Sequence, residues 1–559
     1  MNTQNQVSKL LIWLVFLLLV SSTLFIALRA AGFISLSLRQ TLTSTESQAF
    51  DPTGFSPINV LDWRFDGELA KPVDSYTRQA VTQDYLNALD ELRFALQSKE
   101  TYGLATYFHS TALEDVLNLV EQDDEQNRTV YWENWRHSVK MEFYAPDGET
   151  ISFEDDHYYA YMRRSDTEDA TPMYTYGKRK IQVLMNQDNG TWRIYNWRVL
   201  ENDIVFDQHR NAPQYQLQPT IAVADIRGTN YIAQDAPFND LWPKFNALEV
   251  AEDFKRIKAL GFNTVRFFIP FPMPLGIENL ETLVSIAENE ELFLIPTLFD
   301  TYTSYRLEDL GEAENYLERL SKILASPSVL IVDVKNEADR DFDSAGEAEV
   351  AFFLRWAMHR TRELFFKPAF VGLISPSESI SPFADVVSLH HYGPANELGK
   401  RIADGNRYQK PILLEEFGYH SFERSVPDPH SQLEQARYYQ DIVHITAEQN
   451  VGWLQWTLHD LPKGTVPGNR RVERHLGIVD QEGQLKLAAR ALLGEYFEAP
   501  TLRDDLRKWR FFIFIAAAIS LAILAGIILF FVLRRRRKYR ERVLNLAFDE
   551  GATEPPQNP

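Results

Sequence analysis

The chain has no cysteine among its 559 residues, which excludes disulfides, thiolate metal ligands and cysteine nucleophiles together. Positive charge is also scarce, because 57 Lys and Arg stand against 78 Asp and Glu and leave a formal net charge of −21. Since a phosphate backbone is bound by cations that displace its counterions, nucleic acid is not an expected partner. A glycine-rich phosphate-binding turn is missing as well, because the strand-like segment IRGTN at 226–230 does not have that pattern.

Two uncharged apolar stretches stand near the ends of the chain, at 10–28 and 511–533. Each is long enough to cross about 30 Å of hydrocarbon as a helix. We interpret the first as an anchor, with a cleaved signal peptide as the alternative, because its apolar core exceeds the roughly 7–15 residues usual for a signal. RRRRKYRER follows the second stretch, and positive flanks stay in the cytoplasm. We therefore expect two spans in the lipid bilayer, cytoplasmic termini, an extracytoplasmic region between them, and a basic, then disordered tail at 534–559.

The region between the two stretches begins with a predicted linker, 40–77, and continues as a predicted α+β domain, 78–205. YTRQAVTQDYLNALDELRFALQS has apolar residues at three- and four-residue steps, as in an amphipathic helix. SVKMEFYA, HYYAYMRR, KRKIQVLMN and TWRIYNWRVL then alternate with period two, as strands do. This order resembles the cone-shaped domain of the nuclear transport factor 2-like superfamily. No convincing acid–base pair stands out in it, so we expect a structural or assembly role.

From 221 to 497 the pattern changes to strand, helix, strand, helix. Eight apolar segments with helical segments between them predict a (β/α)8 barrel, which typically takes about 250 residues. Strands that are apolar throughout fit a parallel sheet covered on its outer side. A doubly wound open sheet is the alternative fold.

Reactive side chains of such a barrel lie at the carboxyl ends of its strands. The polar residues at those ends are Arg266, Asp300, Asn336, Glu337, His390, Tyr392, Glu415, Glu416, Gln455 and Trp456. Because alternate residues of a strand share a face, His390 and Tyr392 should point the same way, whereas Glu415 and Glu416 should not both point inward.

Glu337 and Glu416 end the fourth and seventh strands and should converge across the barrel mouth. Cleavage of a glycosidic bond needs such a pair, one acid for the leaving oxygen and one carboxylate for the anomeric carbon. The acid needs an environment that raises its pKa, and the other carboxylate must be kept ionised. Arg266 and Tyr392 are the candidates for keeping it so, and the reaction needs neither a metal nor an organic cofactor.

Residues 221–497 resemble a retaining glycoside hydrolase of clan A, most closely family 5, which contains cellulases and mannanases. The segments that carry the resemblance are NTVRFFIPF, VKNEAD, LHHYGP, LLEEFG and LQWTLHD. The resemblance implies that Glu337 is the acid/base and Glu416 the nucleophile. IRGTNYI and GFNTVRF are also similar to the barrel of the β-galactosidase and β-glucuronidase family, so the clan is better indicated than the family.

Six residues are expected to bind substrate: Arg266, Asn336, His390, Tyr392, Trp456 and Asp300. Asn336, beside the acid, could hold a sugar hydroxyl, and Trp456 offers a flat apolar face for a pyranose ring. Family 5 commonly has a histidine at the end of strand three, where this chain has LFDTYTSY and therefore Asp300. We therefore expect the substrate contacts around strand three to differ from those common in the family.

The sequence thus predicts a membrane-anchored retaining glycosidase that acts on a β-linked polysaccharide or oligosaccharide outside the cell. One alternative is an inactive carbohydrate-binding or cell-envelope scaffold protein built on a barrel of this kind. Another is a transglycosylase, which uses the same residues with a sugar in place of water as acceptor.

Overall fold

The structure is a computed structural model, and it describes residues 61–64, 71–165, 171–207, 217–425, 429–466 and 472–549. Its first part has helices and strands in separate blocks. The helices are α1 (Ser75–Ser98), α2 (Leu104–Tyr107) and α3 (Ser110–Glu125). The strands are β1 (Asp62–Arg64), β2 (Arg128–Tyr144), β3 (Thr150–Ser165), β4 (Met173–Asp188) and β5 (Thr191–Asp207). They form one sheet in chain order, with β1 parallel to β2 and the other pairs antiparallel.

The helix α1 starts where its sequence provides a cap, because the Asp74 carboxylate accepts a hydrogen bond from the Thr77 backbone N–H at 2.9 Å. Its buried face repeats at three- and four-residue steps through Val81, Tyr85, Ala88 and Leu92. The predicted linker, 40–77, therefore includes the first turn of α1 and also β1, while 40–60 and 65–70 lie outside the described residues. The likeness of this α+β part to the nuclear transport factor 2-like superfamily stays a prediction.

Eight parallel strands follow, as the sequence predicts. They are β6 (Arg227–Asn230), β7 (Thr264–Phe268), β8 (Phe293–Thr297), β9 (Val332–Asp333), β10 (Ala369–Phe370), β11 (Val387–His391), β12 (Ile412–Phe417) and β13 (Gly452–Gln455). The first strand, β6, pairs with both β7 and the last strand, β13. The sheet is nearly closed, since the Asp385 N–H donates to the Ala369 carbonyl at 3.0 Å between β10 and β11. The barrel prediction is confirmed, and the open-sheet alternative is wrong.

Helices surround this barrel. They are α4 (Ala247–Ala259), α5 (Leu280–Asn289), α6 (Leu310–Leu324), α7 (Phe342–Ala345), α8 (Glu347–Phe365), α9 (Leu398–Asn406), α10 (Gln432–Glu448) and α11 (Leu487–Leu492). The helix α4 shows why they form: the Asn246 side chain caps it, and Val250, Phe254 and Ile257 face the core.

The α+β part packs on the barrel helices α6 and α8. Tyr174 of β4 stacks on Phe352 with ring centroids 4.5 Å apart, and Tyr176 meets the edge of Trp356 at 6.2 Å. The helix α8 is consequently buried on nearly all its sides. This aromatic contact fixes the α+β part to the barrel as one compact unit.

A long helix, α12 (Leu502–Asp549), lies in a separate compact unit that also contains residues 420–425 and 429–437. Among the described residues, its segment Phe512–Arg542 is the one stretch long and apolar enough to span a membrane. It includes most of the predicted second span, 511–533. The predicted first span, 10–28, lies outside the described residues, and the predicted orientation of the termini stays a prediction.

Candidate active site

The guanidinium of Arg266 lies at the centre of the polar cluster inside the barrel. It is fully buried in the middle of β7 and donates hydrogen bonds of 2.7 to 2.8 Å to Asn230, Asp333, Asn336 and Glu416. Its Nε also lies 2.7 Å from Glu415 Oε1. One cation thus faces three buried carboxylates, and their negative charges hold its pKa above the ordinary arginine value although burial opposes this.

Both adjacent glutamates of β12 point inward, which contradicts the alternation expected from the sequence. Glu416 pairs in register with His390, and the register shift between Leu389 and His390 leaves Glu415 out of the ladder. A bulge adds one residue to a strand and so changes which face the next side chain takes. Glu415 therefore reaches Arg266 as well, and Ser388 donates to its other oxygen.

His390 lies between three carboxylates. Its Nδ1 is 3.3 Å from Glu337 Oε1 and 3.4 Å from Glu416 Oε2, and its Nε2 is 3.3 Å from Glu415 Oε2. Burial alone would lower the pKa of His390, but Glu416, Glu337 and Glu415 together raise it to about 10. The imidazole is therefore a cation at neutral pH and a second positive charge in the site.

Glu337 and Glu416 converge, as expected from the two strand ends. One carboxylate oxygen of each, together with a ring nitrogen of His390, lies within 4.8 Å of the others. Glu337 follows β9 in a left-handed backbone conformation, φ 45°, which is uncommon for a residue with a side chain. The backbone reversal at Glu337 gives its carboxylate a position apart from that of Asn336, which binds Arg266.

The environment of Glu337 differs from the one expected for an acid. Burial raises the pKa of its carboxyl, but hydrogen bonding to His390 and the charges of His390 and Arg340 outweigh burial and lower it below its ordinary value. Arg340 contacts the oxygen that His390 leaves free, Oε2, at 2.6 Å. The expectation of a raised pKa is therefore wrong for this structure, and Arg340 is part of the reason.

The remaining predicted residues surround this pair. Tyr392 donates to Glu416 Oε2 at 2.8 Å, so this carboxylate accepts from Arg266 on one oxygen and from a phenol on the other. Trp456 is half-buried and meets Phe268 edge to face at 5.9 Å. Asp300 is half-buried too, and burial raises its pKa against the charges of Lys335 and Arg266. The Lys335 ammonium donates a hydrogen bond to the backbone carbonyl of Asp300 at 3.0 Å.

Sequence reasoning missed Asn230, Asp333 and Arg340. Asp333 accepts hydrogen bonds from Arg266 and Thr297, and from the backbone N–H groups of Lys335 and Gly372. Burial and the nearby Glu415 raise its pKa to about 6. The sequence does contain a signal for Asp333, because it is an acidic residue within an otherwise apolar strand. An acid in such a position is rarely buried without a partner.

Glu337, His390 and Glu416 could together offer ligand atoms to a metal ion. Arg266 and His390 are two cations that already contact these carboxylates. What the arrangement offers chemically is one carboxylate that accepts hydrogen bonds from Arg266 and Tyr392, a second carboxylate close by that can exchange a proton, and a mouth with an aromatic wall.

Comparison with solved structures finds low-identity likenesses to glycoside hydrolases. The exo-β-1,4-mannosidase Op5Man5 from Opitutaceae bacterium strain TAV5 is 20% identical with a TM-score of 0.42, over 50% of this chain and 61% of that one. GH5_18 from Streptomyces cattleya in complex with GlcNAc is 17% identical with a TM-score of 0.40, over 52% and 81%. The β-glucuronidase of Bifidobacterium dentium is 14% identical with a TM-score of 0.38, over 65% and 66%. No family model and no curated protein matches the chain.

Proposed function

We propose that this chain is a retaining glycoside hydrolase of clan A, most like family 5, with Glu416 as nucleophile and Glu337 as acid/base. The observation that carries the proposal is the approach of the Glu337 and Glu416 oxygens to within 4.8 Å across the barrel mouth. Retaining enzymes hold their two carboxyl groups about 5–5.5 Å apart, whereas inverting enzymes need roughly 6.5–9.5 Å to admit a water molecule. The short separation therefore supports double displacement over single displacement.

Glu416 has the contacts that a nucleophile requires. Arg266 and Tyr392 each donate to it at 2.8 Å, one to each carboxylate oxygen. These two donors hold the carboxylate in place and orient the oxygen that attacks the anomeric carbon. In the first step this oxygen forms an ester with the sugar while the glycosidic bond breaks.

Glu337 becomes the acid when substrate enters. The leaving oxygen must approach the carboxyl oxygen that Arg340 now contacts, so substrate displaces this exposed arginine. Arg340 lowers the pKa of Glu337 and burial raises it. When Arg340 is displaced, the pKa of Glu337 therefore rises. After Glu416 is esterified its negative charge is lost, the pKa of Glu337 falls again, and Glu337 can accept a proton from the water that releases the sugar.

Other residues support a sugar-binding role. The Asn336 carbonyl oxygen accepts from Arg266, which orients the amide nitrogen as a donor for a sugar hydroxyl, most usefully the 2-OH. Trp456 forms an apolar wall for a pyranose face, and Asp300 is available for a further hydroxyl. With α12 as a membrane anchor, the substrate is a β-linked polysaccharide or oligosaccharide outside the cell.

The test uses the full chain in detergent on β-glucans, mannans, xylans and a panel of 4-nitrophenyl β-glycosides. Glu416→Gln should abolish turnover, whereas Glu337→Ala should retain part of its activity on aryl glycosides, whose leaving groups need little protonation. Glu378→Gln, which alters an exposed acid paired with Arg407, is the matched control. If no substrate is cleaved but sugars bind, the chain is a binding or scaffold protein. If products elongate in the presence of sugar acceptors, it is a transglycosylase.

A further inference from the structure

A second polar cluster lies inside the α+β part, far along the chain from the barrel site. The inward face of β3 carries Ile151, Phe153, Asp155, His157 and Tyr159 at alternate positions, and all five are buried. Asp155 and His157 are 0% and 2% exposed. Two polar groups in the middle of an apolar row are costly to bury unless something satisfies them.

A bulge in β2 brings a third group to the same place. Trp135 pairs with Tyr158, but the next ladder pair is Ser138 with Asp156, so Arg136 and His137 together oppose His157. Arg136 takes a left-handed conformation, φ 64°, which costs a residue with a side chain about 1–2 kcal/mol. Bulges re-aim side chains, and this one directs His137, 1% exposed, onto Asp155.

Three groups crowd one oxygen of Asp155. Its Oδ2 is 2.6 Å from the Tyr85 hydroxyl, 2.7 Å from His137 Nδ1 and 3.1 Å from His157 Nδ1. Its Oδ1 and the Nε2 of His157 are buried and have no hydrogen-bond partner in the described part of the chain. Each unsatisfied buried group costs about 1–3 kcal/mol, so hydrogen bonds alone account poorly for this cluster.

The contact on the other side of the His137 ring is a second feature that hydrogen bonding within the cluster does not explain. Its Nε2 faces the side-chain carbonyl oxygen of Asn134 at 2.8 Å, and a carbonyl can only accept, so Nε2 carries a proton. That contact leaves Nδ1, which lies 2.7 Å from Asp155 Oδ2, as the ring atom that could bind a metal ion. Histidines that bind metal are typically oriented in this way, with the distal N–H held by a carbonyl or carboxylate.

We propose that His137, Asp155 and His157 bind one divalent transition-metal ion of the zinc class. The three ligand atoms lie within 4.8 Å of one another, and a tetrahedral zinc site with bonds of about 2.0–2.1 Å has ligands about 3.3 Å apart. Two imidazoles and one carboxylate are donors that suit zinc, and the Tyr85 hydroxyl is placed to serve as a fourth. Since the cluster is enclosed, the ion is structural and ties α1 to β2 and β3.

The experiment measures metal in the full chain, purified in detergent without a polyhistidine tag. After equilibration with Zn2+ and removal of free metal, mass spectrometry of the elements should find about one ion per chain, as in a preformed structural site. His157→Gln and Asp155→Asn should each weaken Zn2+ affinity by at least about 10–100-fold, because they remove a ligand. Glu416→Gln, which removes a member of the other His/Glu group, should leave the metal content unchanged.

Several results would overturn the proposal. They are a parent chain without bound zinc, a His157→Gln variant that binds it as tightly as the parent, or a Glu416→Gln variant that loses it. A metal-free parent would identify the cluster as an imidazolium–carboxylate pair. If the variants do not fold, Co2+ substitution in the parent decides, because a four-coordinate nitrogen and oxygen site gives intense visible bands and an unbound ion does not.

Discussion

Replacing Arg266 with methionine should destabilise the protein strongly and in a pH-dependent way. The side chain is fully buried, and its removal takes a cation from Asp333, Glu415 and Glu416 at once. Breaking a buried ion pair on one side typically costs about 3–5 kcal/mol, because a charge is left without compensation. Set against a usual total stability of about 5–15 kcal/mol, this loss is large. His390 remains as a cation, which keeps the expected cost within this range.

The sign of the pH dependence follows from the acids left behind. Arg266 lowers the pKa of both Asp333, which burial already raises to about 6, and Glu415. Without the arginine both folded-state pKa values rise, so these acids gain protons on folding. The stability that these acids contribute is fully present below their unfolded-state pKa of about 4. It is lost as pH rises through their higher folded-state pKa values. The variant should therefore be closer to the parent in stability at pH 5 than at pH 8.

Urea unfolding of the full chain in detergent, followed by tryptophan fluorescence at both pH values, measures this effect. Arg407→Met is the matched control, because Arg407 is 54% exposed and pairs with an exposed Glu378, and such surface changes stay within about 0.5 kcal/mol. Arg266→Lys keeps the positive charge but loses the planar guanidinium with its several donors. Its loss of stability should lie between those of Arg266→Met and Arg407→Met. Equal stability of the Met variant and the control, or a larger loss at pH 5, would refute the reasoning.

Three further outcomes are expected. Arg340→Ala should move the basic limb of the pH–activity profile up by roughly 0.5–1 unit, since this exposed cation, 2.6 Å from Glu337 Oε2, is screened by solvent and contributes about 1 kcal/mol; an unmoved limb would contradict this. Tyr392→Phe should lower kcat/KM by roughly 10-fold or more, the worth of a hydrogen bond to the charged Glu416, with an unchanged melting midpoint; wild-type kcat/KM would exclude this role. Gly228→Ala places a Cβ 2.0 Å from a backbone oxygen of the neighbouring strand and should cost about 1–3 kcal/mol in urea unfolding, whereas parental stability would show that the strands can separate.

The fold was largely predictable because its signals are periodic. Eight apolar segments separated by helices predict a parallel barrel, and period-two segments after helices predict the α+β part. Convergence of Glu337 with Glu416 followed from the general position of barrel strand ends. These inferences depend on repeated patterns, and one irregular residue does not obscure them.

What could not be predicted depends on single backbone irregularities. The bulge at Glu415 turns two adjacent acids inward, and the bulge at Arg136 places His137 beside Asp155. Neither bulge can be recognised from the amino-acid composition, because the extra residue in a bulged strand is of the same types as its neighbours. The contact of Arg340 with Glu337 likewise depends on the left-handed turn at Glu337, so the lowered pKa of that acid was outside the reach of sequence reasoning.

Trapping the covalent intermediate tests the central claim most directly. The full chain would be incubated with 2-deoxy-2-fluoro-β-glycosyl fluorides of glucose, mannose and xylose, digested, and analysed by mass spectrometry. The account predicts a glycosyl ester on Glu416 for at least one sugar that the enzyme also cleaves. Cleavage of that sugar with inverted anomeric configuration, or an adduct on another residue, would contradict it.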